Sequence, residues 1–193
     1  MERRLLDATE RLMREGASFT ELSVDRLSTE AGISRASFYI YFEDKGHLLR
    51  RLAGQVFADL AAGAELWWSV AGRHDPGDLR AAMAGIIETY RRHQPVLVAL
   101  AEMAAYDPLT AQTYRDLLTA ISQRLVAIIE DGQADGSIRA LPAAATASAL
   151  TWMVERACQQ NLTVNPPDHD AELAVTLTEI IWGALYLKAA EAS

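Results

Sequence analysis

The sequence predicts an all-α protein, and three observations carry that prediction. No run of alternating apolar and polar residues is long enough to make a strand. Alanine, leucine, arginine and glutamate dominate, with apolar residues recurring at three- and four-residue spacing. Turn signals are widely spaced, which leaves room for helices and little for short strands. The expected architecture has about nine helices: an N-terminal three-helix domain over residues 1–46 and a larger helical domain over 47–193.

The first helix runs from about Glu2 to Glu15, with Leu5, Leu6, Ala8, Leu12 and Met13 on one face and Gly16 as its stop. Ser23 is a good N-cap for a second helix that buries Val24, Leu27 and Ala31 and breaks at Gly32. Ser34 caps a third, ending near Phe42. Asp44 caps a long fourth helix, in which Leu48, Leu49, Leu52, Val56, Phe57, Leu60, Ala64 and Trp67 recur at helical spacing. Residues 73–78, RHDPGD, read as a linker. Five further helices are expected over about 79–92, 95–106, 108–133, 143–161 and 170–190. Pro95, Pro108 and Pro142 each fall near an expected start, where a missing N–H costs nothing.

Half of the 193 residues are apolar, which excludes a disordered chain. No apolar stretch has the length of a membrane span, and the first residues lead into an amphipathic pattern and not a signal peptide. The single cysteine, Cys158, excludes an internal disulfide, so a cytoplasmic setting is expected. At mid-helix it reads as a small core residue. The net charge of −8 is unevenly spread. Residues 1–51 are neutral and hold half of all the Lys and Arg, while 52–193 carry the whole deficit. A polyanion could approach the first segment and would be repelled by the second.

The most informative segment is Leu22 to Leu49, LSVDRLSTEAGISRASFYIYFEDKGHLL. A helix-turn-helix needs a buried first helix, a tight corner with a small residue, and a second helix anchored from one side. Leu27 and Ala31 supply the buried pair, Gly32 the corner, and Ile33 and Phe38 the anchors. At 100° per residue, Phe38 and Phe42 share the core side, leaving Ala36, Ser37, Tyr39 and Ile40 to point outward near Arg35. Those residue types suit a major groove. Hydroxyls meet phosphate oxygens, an arginine reaches a guanine edge, and an apolar group touches a thymine methyl. Lys45 opposes the dipole of the helix it begins, which favours an external anion.

GISRASFYIYFEDKGHLL resembles the recognition-helix signature of TetR-family repressors, and the likeness extends over about the first quarter of the chain. The resemblance implies phosphate contacts at Ser23, Ser37, Tyr39, Tyr41 and Lys45, with Arg35 and Ala36 approaching bases. Two positions depart from the family pattern: Tyr41 replaces a commoner histidine, and Ser28 stands where alanine usually packs. Ser28 is therefore expected to bond a carbonyl one turn earlier.

The C-terminal part resembles the ethionamide-resistance repressor branch of that family, through ISRASFYIYF, Glu155-Arg156 and Ile181-Trp182. That branch implies a long apolar cavity lined by Ile86, Tyr114, Thr151, Val154 and Trp182. It often has asparagines where Thr151 and Val154 stand, so only Thr151 keeps a hydroxyl. From the residues alone, Trp67, Trp68, Met83, Tyr90, Met103, Tyr106, Met153 and Tyr186 suit either pocket walls or ordinary core. Glu155 is an acid on an apolar helix face, with adjacent Arg156 pointing elsewhere. It either contacts a ligand or pairs with another helix.

No catalytic constellation is present. His47, His74, His93 and His169 lack metal-ligand spacing, there is no phosphate-binding glycine loop or nucleophile elbow, and Cys158 has no evident histidine partner. The expectation is a cofactor-free transcriptional regulator that binds operator DNA and is released from it by a small apolar effector. The resemblance implies a homodimer paired through helices 143–161 and 170–190, where Ala143 to Ala149 permit close approach. A helical small-molecule binder that has lost operator recognition is the alternative.

Overall fold

The computed structural model describes residues 1–70 and 75–186, and among these it is helical throughout, with no strand. Eight α-helices are found there: α1 Glu2–Arg14, α2 Val24–Ala31, α3 Arg35–Tyr41, α4 Lys45–Val70, α5 Pro76–Ala104, α6 Pro108–Ala134, α7 Ala143–Val164 and α8 Asp170–Leu185, with a 3-10 turn at Pro167–His169. Arg73, His74 and residues 187–190, on which parts of the expected linker and last helix fall, lie outside the described residues.

The expected break at Pro95 is absent. Pro95 lies inside α5, one continuous helix from Pro76 to Ala104. Its missing N–H leaves the Arg91 carbonyl without a helical partner, a cost of about 3 kcal/mol. The apolar stripe through Leu79, Met83, Ile87, Tyr90, Leu97 and Leu100 is buried on both sides of the proline. At about 1.5–3 kcal/mol for each large side chain, that burial outweighs the lost bond.

The chain forms two compact units, one of residues 1–58 and 93–116, the other of 59–92 and 117–193. In the first, α1 buries Leu5, Leu6, Ala8, Leu12 and Met13 as expected, and Leu27, Ala31, Phe38 and Phe42 close the core against it. Val24, expected to be buried, is only half-buried at the first position of α2. Two polar side chains brace this unit. Arg50 Nη1 donates to Asp107 Oδ2 at 3.2 Å, and His93 Nδ1 lies 2.7 Å from Glu10 Oε1. In the second unit Arg91 does similar work. It donates twice to the Asp170 carboxylate, at 2.7 and 3.0 Å, and to the carbonyls of Leu162 and Asn165, both at 2.8 Å. One guanidinium thus ties α5 to the end of α7 and the start of α8.

Candidate nucleic-acid interface and effector pocket

The turn between α2 and α3 is made by its corner residue. Gly32 has φ +65°, the left-handed region that a Cβ disfavours. The Ile33 N–H bonds the Ser28 carbonyl at 2.9 Å and the Gly32 N–H bonds Thr29 at 3.0 Å, a paired C-terminal cap. Ser34 then caps α3, its Oγ accepting from the Ser37 N–H at 3.0 Å and lying 2.9 Å from the Ser37 hydroxyl. Ser23 does the same for α2, accepting from the Arg26 N–H at 3.1 Å. Capped at both ends of the turn, the short α3 has a fixed orientation.

Phe38 is fully buried and Phe42 nearly so, their ring centroids 5.6 Å apart, and this pair clamps α3 from behind. The opposite face is open: Tyr39 is 47% exposed, Ile40 76% and Tyr41 40%. Ser34, Arg35 and Ala36 are exposed with them, and Ser37 is half-buried. An isoleucine three-quarters exposed beside two tyrosines has no packing purpose within this unit. Arg35 Nη1 donates to Asp25 Oδ2 at 3.0 Å, and its guanidinium lies 5.9 Å from the Tyr39 ring centroid. The Tyr39 side chain first, then the Asp25 charge, raise the Arg35 pKa further above its ordinary value. Such an exposed ion pair yields readily to a competing acceptor.

Lys45 is more engaged than expected. Its Nζ donates to the carbonyls of Phe19 at 3.2 Å and Thr20 at 2.9 Å, and partial burial pushes its pKa down. Two of its three protons hold the α1–α2 loop, leaving one for an external acceptor. The expected Ser28 bond does not form. The hydroxyl is buried and has no hydrogen-bond partner.

The residues expected at an effector pocket divide between the units. Met103, Tyr106 and Tyr114 belong to the first. Tyr114 packs edge-on to Phe57, with centroids 5.9 Å apart. Met103 is buried, while Tyr106 is 64% exposed. These two wall an open groove of about 680 Å³ with Ser23, Tyr39, Lys45 and Arg50, not an enclosed cavity. Ile86, Tyr90, Thr151, Val154, Glu155 and Trp182 belong to the second unit. Tyr90, Thr151 and Glu155 are buried there, and Ile86, Val154 and Trp182 half-buried. The Thr151 hydroxyl is buried and has no hydrogen-bond partner. Arg156 points out of the buried face, its exposed side chain donating from Nη1 to Gln159 at 2.6 Å, with Nε 3.9 Å from Glu155 Oε2. Trp182 stacks on Tyr186 at 4.3 Å. The side chain of Trp67 lies outside the described residues. Cys158 is fully buried, and burial pushes its thiol up to about 12.

Sequence spacing did not reveal the Arg50–Asp107 and Arg91–Asp170 pairs, which join residues 57 and 79 positions apart.

Residues 5–52 match the family described as bacterial regulatory proteins, tetR family, and residues 79–187 match the C-terminal domain of the transcriptional regulator EthR. The HTH-type transcriptional regulator EthR of Mycobacterium tuberculosis is 29% identical over 183 residues, covering 93% of this chain and 84% of the relative. That of Mycolicibacterium smegmatis is 27% identical over 185 residues, covering 93% and 83%. Among solved structures, a TetR-family regulator from Rhodococcus sp. superposes with a TM-score of 0.73 at 22% identity, covering 95% of this chain and 98% of that one. FadR of Thermus thermophilus, a TetR-family repressor in complex with lauroyl-CoA, superposes with a TM-score of 0.71 at 19% identity, covering 100% and 99%. The α2–turn–α3 unit and the EthR-type helices that follow it place this chain in the TetR family of bacterial helix-turn-helix transcriptional regulators.

Proposed function

We propose that this protein is a homodimeric repressor that leaves its operator when a small, largely apolar effector binds. The observation that carries the reading is the open Tyr39–Ile40–Tyr41 face of α3 over the buried Phe38 and Phe42. In this reading residues 1–46 form the DNA-reading domain. Ser23, Ser37, Tyr39, Tyr41 and the remaining proton of Lys45 meet phosphates; Arg35, Ala36 and Ile40 approach base edges; and Ser34 holds the helix start. Residues 47–193 serve effector binding and dimerisation, in the cytoplasm. No described helix is long and apolar enough to cross a membrane.

Dimerisation is required because one short helix reads too few base pairs, and two must stand about 34–36 Å apart to meet successive major grooves. Support for pairing through α7 and α8 comes from Trp152, Val164, Val175 and Ile180, all exposed on those two helices. The unpartnered Thr151 hydroxyl supports an effector with one polar group on an apolar body. Ile86, Tyr90, Val154, Glu155 and Trp182 would line its site. The effector acts by favouring a conformation in which the two α3 helices no longer match the grooves, a coupling of about 1–3 kcal/mol.

The test combines in vitro selection of duplexes by the purified protein with light scattering of the complex. One dimer on a two-fold-symmetric site of half-site spacing near one helical turn is expected. A monomer, or a protein that selects no sequence, would overturn the proposal and leave the small-molecule binder as the better reading.

A further inference from the structure

The charge balance of the first 51 residues is neutral in sequence but not in space. Most arginines there are consumed by carboxylates: Arg11 by Glu30 at 2.6 Å, Arg14 by Glu10 at 3.2 Å, Arg35 by Asp25 at 3.0 Å, Arg50 by Asp107 at 3.2 Å, and Arg51 by Glu2. Among the described residues, Arg4 and Arg26, like Arg3, are exposed and have no carboxylate within ion-pair distance. Both stand at the helix-turn-helix. Arg4 Nη2 lies over its corner, 2.9 Å from where a Cβ on Gly32 would be. Chain reach puts that corner within about 11 Å of Arg35, at the start of α3. Arg26 is on the first turn of α2, three residues from the Ser23 cap and next to Asp25, which holds Arg35 when no DNA is bound.

In this motif the start of the second helix enters the groove while the first helix crosses the backbone. Cations that flank both elements and stand in no ion pair of their own are therefore available to phosphate. We propose that Arg4 and Arg26 are a pair of phosphate clamps on either side of the reading helix, and that they supply the electrostatic affinity the overall charge of −8 would otherwise deny. Arg4 contributes from outside the segment that reads as the motif, so one guanidinium from α1 fixes the angle at which α3 enters the groove. The proposal rests on the DNA-binding reading and adds to it two contacts that carry no sequence information.

The test measures Kd against salt for Arg4→Ala, Arg26→Ala, the matching lysine variants and Arg92→Ala, whose residue pairs with Glu88 in the other unit. The probes are one duplex selected by the wild-type protein and one scrambled duplex of the same composition. Each alanine variant should weaken binding to both duplexes about equally, and lower the magnitude of the log Kd–log salt slope by about 0.9 per subunit, or about 1.8 per dimer. The lysine variants should keep the slope, since ammonium serves as well at a point contact, and Arg92→Ala should leave it unchanged. Unchanged slopes for the alanine variants, when the wild type binds normally, overturn the clamps alone; so does a loss confined to the selected duplex. A lowered melting temperature shared by Arg4→Ala and Arg4→Lys at constant slope would make Arg4 a structural cover for the turn and overturn its role. A wild type that binds neither duplex overturns both readings.

Discussion

Ser28→Ala should stabilise the protein. The hydroxyl is 2% exposed and has no hydrogen-bond partner, and a buried polar group in that state costs about 1–3 kcal/mol. Alanine also has the higher helix propensity, worth about 0.5 kcal/mol at an interior position. Against this stands the void left by one oxygen, about 0.4 kcal/mol at roughly 24 cal/mol per Å³. The net gain is about 1–3 kcal/mol, or roughly 2–12 °C in melting temperature for a chain of this size. Thermal and urea unfolding followed by circular dichroism would read it. Thr9 supplies the contrast, because its buried hydroxyl does donate, to the Leu5 carbonyl at 2.7 Å. Thr9→Val should therefore cost about 0.5–1.5 kcal/mol. A Ser28→Ala protein no more stable than wild type, or one that moves in the same direction as Thr9→Val, would refute the reasoning.

Gly32→Ala should destabilise by about 1–2 kcal/mol, from the left-handed φ of +65° and the displacement of Arg4 from the corner, measured by urea unfolding. Cys158 should resist iodoacetamide at pH 8 in the native protein and react once unfolded in guanidinium, since a thiol raised to about 12 is ionised at only about one part in 10⁴. The Asp107 carboxyl is held below its ordinary range, first by the Thr110 hydroxyl, then by the Thr110 and Leu109 N–H groups and the Arg50 charge. Its stabilisation is thus complete above the unfolded value near pH 4 and lost as pH falls through the folded one. Asp107→Ala should cost about 1–2 kcal/mol at pH 7, with the gap to wild type closing on acidification in a pH series of unfolding midpoints.

The helices and the outward side of α3 were legible because they rest on local rules. Ser23 and Ser34 cap, Gly32 turns, and the 100° step between Phe38 and its neighbours decides which side chains face out. Pro95 misled because a local rule, that proline starts helices, lost to an apolar stripe buried from Leu79 to Leu100. Lys45 was legible as a cation needing an oxygen. Which oxygens it takes, those of Phe19 and Thr20, depended on a loop 25 residues away that spacing cannot position. The residues expected at an effector pocket were the least legible, because aromatic and methionine side chains look alike in core and cavity; only burial separates Tyr90 from Tyr106.

The central claim is that the outward face of α3 reads base pairs, and Arg35→Ala tests it most directly. The residue is exposed and its ion pair with Asp25 is weak, so the fold should be unaffected. Binding of the variant is compared on a selected duplex and on single-base-pair variants of it. The account predicts that discrimination at one position per half-site falls by about 1–3 kcal/mol while binding to scrambled DNA changes far less. Full retention of discrimination at every position would contradict it.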